Sequence, residues 1–258
     1  MTKPTNTGGT VKRTPTVDPE SIPNWQRPSS DTLESAASEK RALVIYFPEE
    51  NSTDADFSSK ELAELSKTDA VFVKIPYTAD REASPWAEDG VVPTSKLLSD
   101  NPSREYNIPV GEHVVLVCDW FGNEYHRTDC KVKANNLEKM IESVADRVED
   151  ANDKLQKNLD RANKYVDKED TKKAISYLIR NFEEELVGLD AQESSIRLYH
   201  KILDDVRAKK DELVKKGDVD GLKNLAKEVK KTDLEKEFDE AIEEAAKNAK
   251  DAGPTTQK

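Results

Sequence analysis

The sequence predicts an α/β domain with a central sheet of about four strands and flanking helices, then an all-α domain of helical hairpins. Three observations predict it. Strand-like segments rich in β-branched and other apolar residues occur at 42–47, 70–75 and 113–118, the first of them unbroken. Apolar residues recur every three or four positions from Leu137 to Ala245. Residues 1–130 carry 13 basic and 22 acidic side chains, whereas 131–258 carry 27 and 30, the lacing of opposite charges expected on exposed helix faces.

Composition sets the outer bounds. The 258 residues carry a net charge of −12 and are 35% apolar, which allows one or two domains but not tight packing from end to end. The longest apolar run, Ala42 to Phe47, is too short to span a membrane. Net acidity argues against general nucleic-acid binding. Two cysteines exclude a disulfide scaffold and a thiol-rich zinc site.

Residues 1–38 are rich in Thr, Pro and Ser with almost no apolar periodicity, so they read as a disordered segment; Trp25 is the one large group there that could dock. Ala42–Phe47 reads as a strand covered on both faces. Ser58 to Glu61 reads as a capping box opening a helix with Leu62 and Leu65 inward. Residues 70–75 form a second strand, Thr94 to Ser99 a brief helix, and 113–118 a third strand. Trp120-Phe121-Gly122-Asn123 turns into a fourth strand at 124–128. Asn135 with Glu138 is expected to cap a helix whose stripe (Leu137, Ile141, Val144, Leu155, Leu159, Ala162, Val166) meets no Gly or Pro, so one unbroken helix over 136–166 is expected. Further helices open at Asp170, at Asp190 with Glu193, at Asp218, and at Thr232 with Glu235, with stops near Gly188 and at Gly217. The predicted divisions are 1–38, 39–148, 149–250 and a flexible tail 251–258.

The order β-α-β-α-β-β-α, with Tyr106-x-Ile108, Val114 to Cys118 and Phe121-Gly122-Asn123, resembles a thioredoxin-like domain over residues 40–148. At a shift of 47 residues, Ala174, Ile175, Leu178, Ile179 and Phe182 fall on Gly221, Leu222, Leu225, Ala226 and Val229, which resembles tetratricopeptide-type helical hairpins; two similar amphipathic hairpins by chance explain the pattern equally well. The layout as a whole resembles uncharacterised bacterial proteins joining a degenerate thioredoxin-like domain to such helices. It is also similar, in layout only, to certain secretory-pathway chaperones.

The resemblance implies a Cys-x-x-Cys at the first helix N-terminus and a cis-proline before the third strand. Asn51 and Asp54 stand where the cysteines would be, and the proline's place falls near Glu112, with Pro109 three residues early. Dithiol exchange from that place is therefore excluded. The family's groove for extended polypeptide would be bordered by Asn51, Asp54, Glu112 and Trp86.

Other chemistry is sparse. Cys118 reads as core, with Tyr125 opposite it if Asp119 pairs with Glu124; Cys130 is the better placed of the two to react. His113 could meet His126 across the hairpin, although both suit plain strand-edge positions; His200 has no ligand-spaced neighbour. No serine sits in a nucleophile elbow. Residues 217–221 lack the later ligands of a calcium loop and suit a helix stop followed by a cap. Glu49, Glu50, Asp54 and Asp56 form a solvated acidic loop or a cation site, and Asn51-Ser52-Thr53 matches a glycosylation sequon.

The expected function is non-catalytic binding of a protein or peptide partner, with no catalytic residues, cofactor or metal. The alternatives are a glutathione-transferase-like enzyme, for which Tyr46, Ser52 and Thr53 are nearest the required place, and a permanent subunit of a larger assembly. No export signal is present, so a cytoplasmic location is the default, or export if a signal peptide was removed.

Overall fold

The computed structural model describes residues 17–80, 82, 95–230 and 232–251. Trp86, residues 1–16 of the expected disordered segment, and all of the expected tail but Asp251 lie outside them. Two compact units follow one another, residues 1–144 and 145–258. The first is α/β with a five-stranded mixed sheet; the second is helical.

In the first unit the elements run β1 (Trp25–Gln26), α1 (Ser30–Glu39), β2 (Ala42–Phe47), α2 (Lys60–Thr68), β3 (Ala70–Lys74), α3 (Pro102–Glu105), β4 (Val114–Cys118), β5 (Glu124–Thr128) and α4 (Ala134–Glu142). Single 3-10 turns occur at Pro19–Ser21 and Lys96–Leu98. The sheet order is β1-β3-β2-β4-β5. β3 runs parallel to both β1 and β2, and β4 is antiparallel to β2 and β5. All six residues of β2 and all five of β4 are buried, as their unbroken apolar runs demand. α2 buries Leu62 and Leu65, and α4 buries Leu137 and Ile141.

Residues 17–38 correct the disorder expectation. Ser29 caps α1 by accepting from the Thr32 N–H at 3.2 Å, and Asn24 N–H donates to Ser66 Oγ at 2.8 Å. The Trp25 ring lies 5.7 Å from Tyr46, 5.9 Å from Phe57 and 5.7 Å from Phe72. One indole and two residues of ladder pairing anchor the segment. Average composition does not register so local an anchor.

The hairpin also differs from expectation. Cys118 lies opposite Glu124, with a bulge between Val117 and Cys118. The Asp119 carboxylate causes it. Its Oδ1 accepts from the Phe121 and Asn123 N–H groups, both at 2.9 Å, and its Oδ2 accepts from Asn123 Nδ2 at 2.7 Å. Burial pushes the Asp119 pKa up, and these bonds pull it back. His126 lies opposite Val117 with its Nε2 2.8 Å from Ser143 Oγ, so it does not meet His113.

The unbroken helix expected over 136–166 is two helices, α4 and α5 (Val144–Val166), divided at Ser143. Ser143 Oγ donates to the Met140 carbonyl at 2.8 Å, a local bond that competes with the helical ladder. The Asn135 box is not used either: α4 starts after Lys133 without a side-chain cap.

In the second unit α5 is followed by α6 (Thr171–Phe182), α7 (Asp190–Lys216), α8 (Val219–Glu228) and α9 (Glu235–Asp251). Asp170 caps α6 and Asp218 caps α8, each accepting from a backbone N–H three residues on. Gly217 ends α7 in the left-handed conformation at φ 66°. The expected box at Asp190 is replaced by a distant cap, Asn152 Oδ1 accepting from Ala191 N–H at 3.0 Å. Ala174, Ile175 and Leu178 share one core with Leu222, Leu225 and Val229. Asn181, fully buried, donates to the Leu155 carbonyl at 2.9 Å and lies 2.8 Å from Ser195 Oγ, joining α5, α6 and α7.

Two stability outcomes follow from this packing. Gly122 has φ +91°, and a Cβ there would meet the Tyr106 hydroxyl at 2.9 Å. Gly122→Ala should lose about 1–3 kcal/mol in urea unfolding; an unchanged midpoint would contradict the close approach. Asn181→Ala strands a buried carbonyl and should lose about 2 kcal/mol, read as earlier melting of the helical signal.

Candidate binding cleft

β2 and β3 are parallel, so both end at the same edge of the sheet, and β4 starts there because Phe47 lies opposite Val114. Three loops therefore converge at this edge, after Phe47, after Lys74 and before Val114. Ligands of open α/β sheets gather at such carboxyl ends. Phe47, Pro48, Pro76, Pro109 and Glu112 line a narrow cleft here. It has no enclosed space for a small molecule. A larger hollow of about 300 Å³ lies between α1, β1 and α2. There Arg41 is committed to the Ala70 and Lys67 carbonyls at 2.8 and 3.4 Å.

The cleft is bordered by a polar network that the sequence reading did not assemble. His113 Nε2 lies 3.1 Å from Glu49 Oε1. Its Nδ1 lies 3.0 Å from the Tyr46 hydroxyl and 3.3 Å from Ser52 Oγ. Ser52 Oγ accepts from the Glu49 N–H at 2.9 Å. The Tyr46 and His113 rings are parallel within 2°, with centroids 6.2 Å apart. The loop after β2 is thus pinned to the residue that opens β4.

Burial pushes the Tyr46 pKa up to about 12, against the pull of its bond to Ser52. The phenol therefore remains a neutral donor at physiological pH. Cys130 is raised first by burial and then by Asp129 and Asp56, which lowers its thiolate fraction and its reactivity. Cys118 is fully buried and also raised.

Of the expected border residues, Glu112 lines the cleft and is exposed. Asp54 is exposed and pairs with Lys74 Nζ at 3.0 Å, at the end of β3. Asn51 is exposed at the loop tip beside Ser52. Of the acidic loop, Glu49 serves His113, Asp54 serves Lys74, and Asp56 accepts from Thr53 Oγ1 at 3.2 Å. Nothing local in the sequence links Tyr46, Glu49 and Ser52 to His113, more than 60 residues on. The signal is the pairing of 42–47 with 114–118, which requires the β2–β4 register.

No protein-family model matches the chain, and neither does any curated protein or solved structure.

A raised tyrosine pKa has a definite alkaline consequence. The unfolded chain ionises Tyr46 near the ordinary value of 10, before the folded chain does at about 12. The stabilisation is complete below the first value and is lost as pH rises through the second, amounting to about 3 kcal/mol at most. Tyr106 and Tyr125 are shifted the same way, so the wild type should show a composite fall. Tyr46→Phe should show a shallower fall in denaturation midpoint above pH 10; identical slopes would show that Tyr46 does not contribute.

Proposed function

We propose that the first unit is a redox-inactive thioredoxin-like domain and that the protein is a non-catalytic module binding extended polypeptide, with the second unit a pair of tetratricopeptide-like hairpins. The fold reading is supported by the order of elements: two buried parallel strands joined through a helix, then an antiparallel hairpin and a helix. The observation that carries the functional reading is the loop after β2. Where the thiols would stand it holds Asn51 and Asp54, and Glu49 and Ser52 beside them are committed to His113, next to a proline-lined cleft. Such a surface offers apolar contact and backbone polar groups to an extended chain, without an enclosed chamber for a small substrate. Two hairpins sharing one core support the repeat reading.

The glutathione-transferase-like alternative has less support. Tyr46 is 1% exposed and its hydroxyl is held by His113, so it is poorly placed to donate to a bound thiolate. A permanent-subunit role differs from the proposed one only in how long the partner stays.

Selection of phage-displayed random peptides on the full chain tests the reading. Recovered peptides should bind the purified protein, and Glu112→Arg with Pro109→Asp should weaken them about tenfold or more. The insulin-turbidity assay should run at the buffer rate. Peptides that bind the double variant unchanged, or reduction of insulin dependent on Cys130, would overturn the proposal.

A further inference from the structure

The stretch of the α5–α6 hairpin that flanks its turn departs from the charge balance of the chain. Residues 154–180 carry eight basic and four acidic side chains, a net +4 in a chain of net −12. Between α7 and α9 cations are neutralised in place, Lys210 and Arg207 by Glu237 at 2.9 and 3.4 Å, and at the edge of the 154–180 stretch Lys154 is neutralised by Glu184 at 2.6 Å. Four cations of this stretch are arranged around two aromatic rings. Tyr165 on α5 and Tyr177 on α6 stack with centroids 5.7 Å apart and planes 10° apart. Arg180 and Arg161 lie over Tyr177 at 4.7 and 5.7 Å. Lys173 and Lys168 lie over Tyr165 at 5.2 and 5.9 Å. All four cations are exposed, and both tyrosines are half-buried. Of the four, only Lys173 has a carboxylate in ion-pair range among the described residues, Asp170 at 2.8 Å.

We infer that this face binds an acidic, carboxylate-rich polypeptide segment of a protein partner. Cations resting on aromatic rings are held in place before a ligand arrives, so less side-chain entropy is lost on binding. The two guanidinium groups match carboxylates in a fork geometry. Charge complementarity selects the sign of the partner, and two further features select its class. The tyrosines stack on each other and carry cations over their rings, so nucleobases lack the open aromatic platform that single-stranded nucleic acid uses. The large apolar side chains exposed among the described residues are Val110 and Val187, neither on this hairpin, so the face offers no apolar wedge to a lipid surface. The inference does not rest on the cleft of the first unit, and each can fail alone.

The test is fluorescence anisotropy of a labelled poly-glutamate peptide titrated with the full-length chain at low salt, with poly-glutamine as the neutral control. Poly-glutamate should bind, weaken as salt is raised and exceed poly-glutamine. Arg161→Glu with Arg180→Glu should weaken it about tenfold or more, whereas Lys209→Glu with Lys223→Glu, an equal change in net charge on exposed residues elsewhere in the unit, should weaken it about twofold or less. Arg161→Gln with Arg180→Gln should also weaken it, in a protein whose helical circular dichroism matches the wild type. Equal losses in the two Glu double variants, or no binding of poly-glutamate, would overturn the inference. So would a single-stranded RNA of equal charge that displaces poly-glutamate at lower concentration, or a dimer in light scattering that the Arg161→Glu/Arg180→Glu variant dissociates.

Discussion

The first unit depends on the burial of β2 on both faces. Its six residues, Ala42 to Phe47, are at most 5% exposed, so the strand requires neighbours along both edges and cover above and below. β3 supplies one edge and β4 the other. Because one neighbour is parallel and the other antiparallel, the end of β2, the end of β3 and the start of β4 meet at one edge of the sheet. The cleft and the Tyr46–His113 network lie there as a consequence of that pairing.

The network shows how a loop without cysteine is held at that edge. Glu49 and Ser52 are polar groups on a loop that has no regular structure to satisfy them. His113 gives both a partner, and the buried Tyr46 phenol completes the ring of bonds. Partly buried polar groups of this kind fix a conformation when every member is satisfied. Shape and surface chemistry then determine what the cleft can hold.

The helical unit uses charge in two ways. Between α7 and α9 it is internal: Arg207 and Lys210 meet Glu237. On the α5–α6 hairpin four cations rest over aromatic rings. A polar clamp underneath, Asn181 with Leu155 and Ser195, holds the two helices of that hairpin to α7. Tyr165 and Tyr177 themselves pack against the core of this unit.

The sequence by itself determined the strands to within one residue, as 42–47, 70–75, 113–118 and 124–128, because apolar runs and the Phe121-Gly122-Asn123 turn are local signals. It also determined the helix caps at Asp170 and Asp218 and the stop at Gly217, where one side chain or one backbone conformation decides the outcome. Tertiary structure decided the rest. Trp25 orders a segment of polar composition because three rings and a strand edge await it. Asp119 shifts the hairpin register by offering three acceptor bonds at once. Ser143 divides a helix whose apolar stripe is unbroken, because its hydroxyl meets both Met140 and His126. Tyr46, Glu49, Ser52 and His113 became a site only when β4 paired with β2. Hydrogen bonds between residues distant in sequence leave no periodicity to read, so those residues could be named beforehand but not joined.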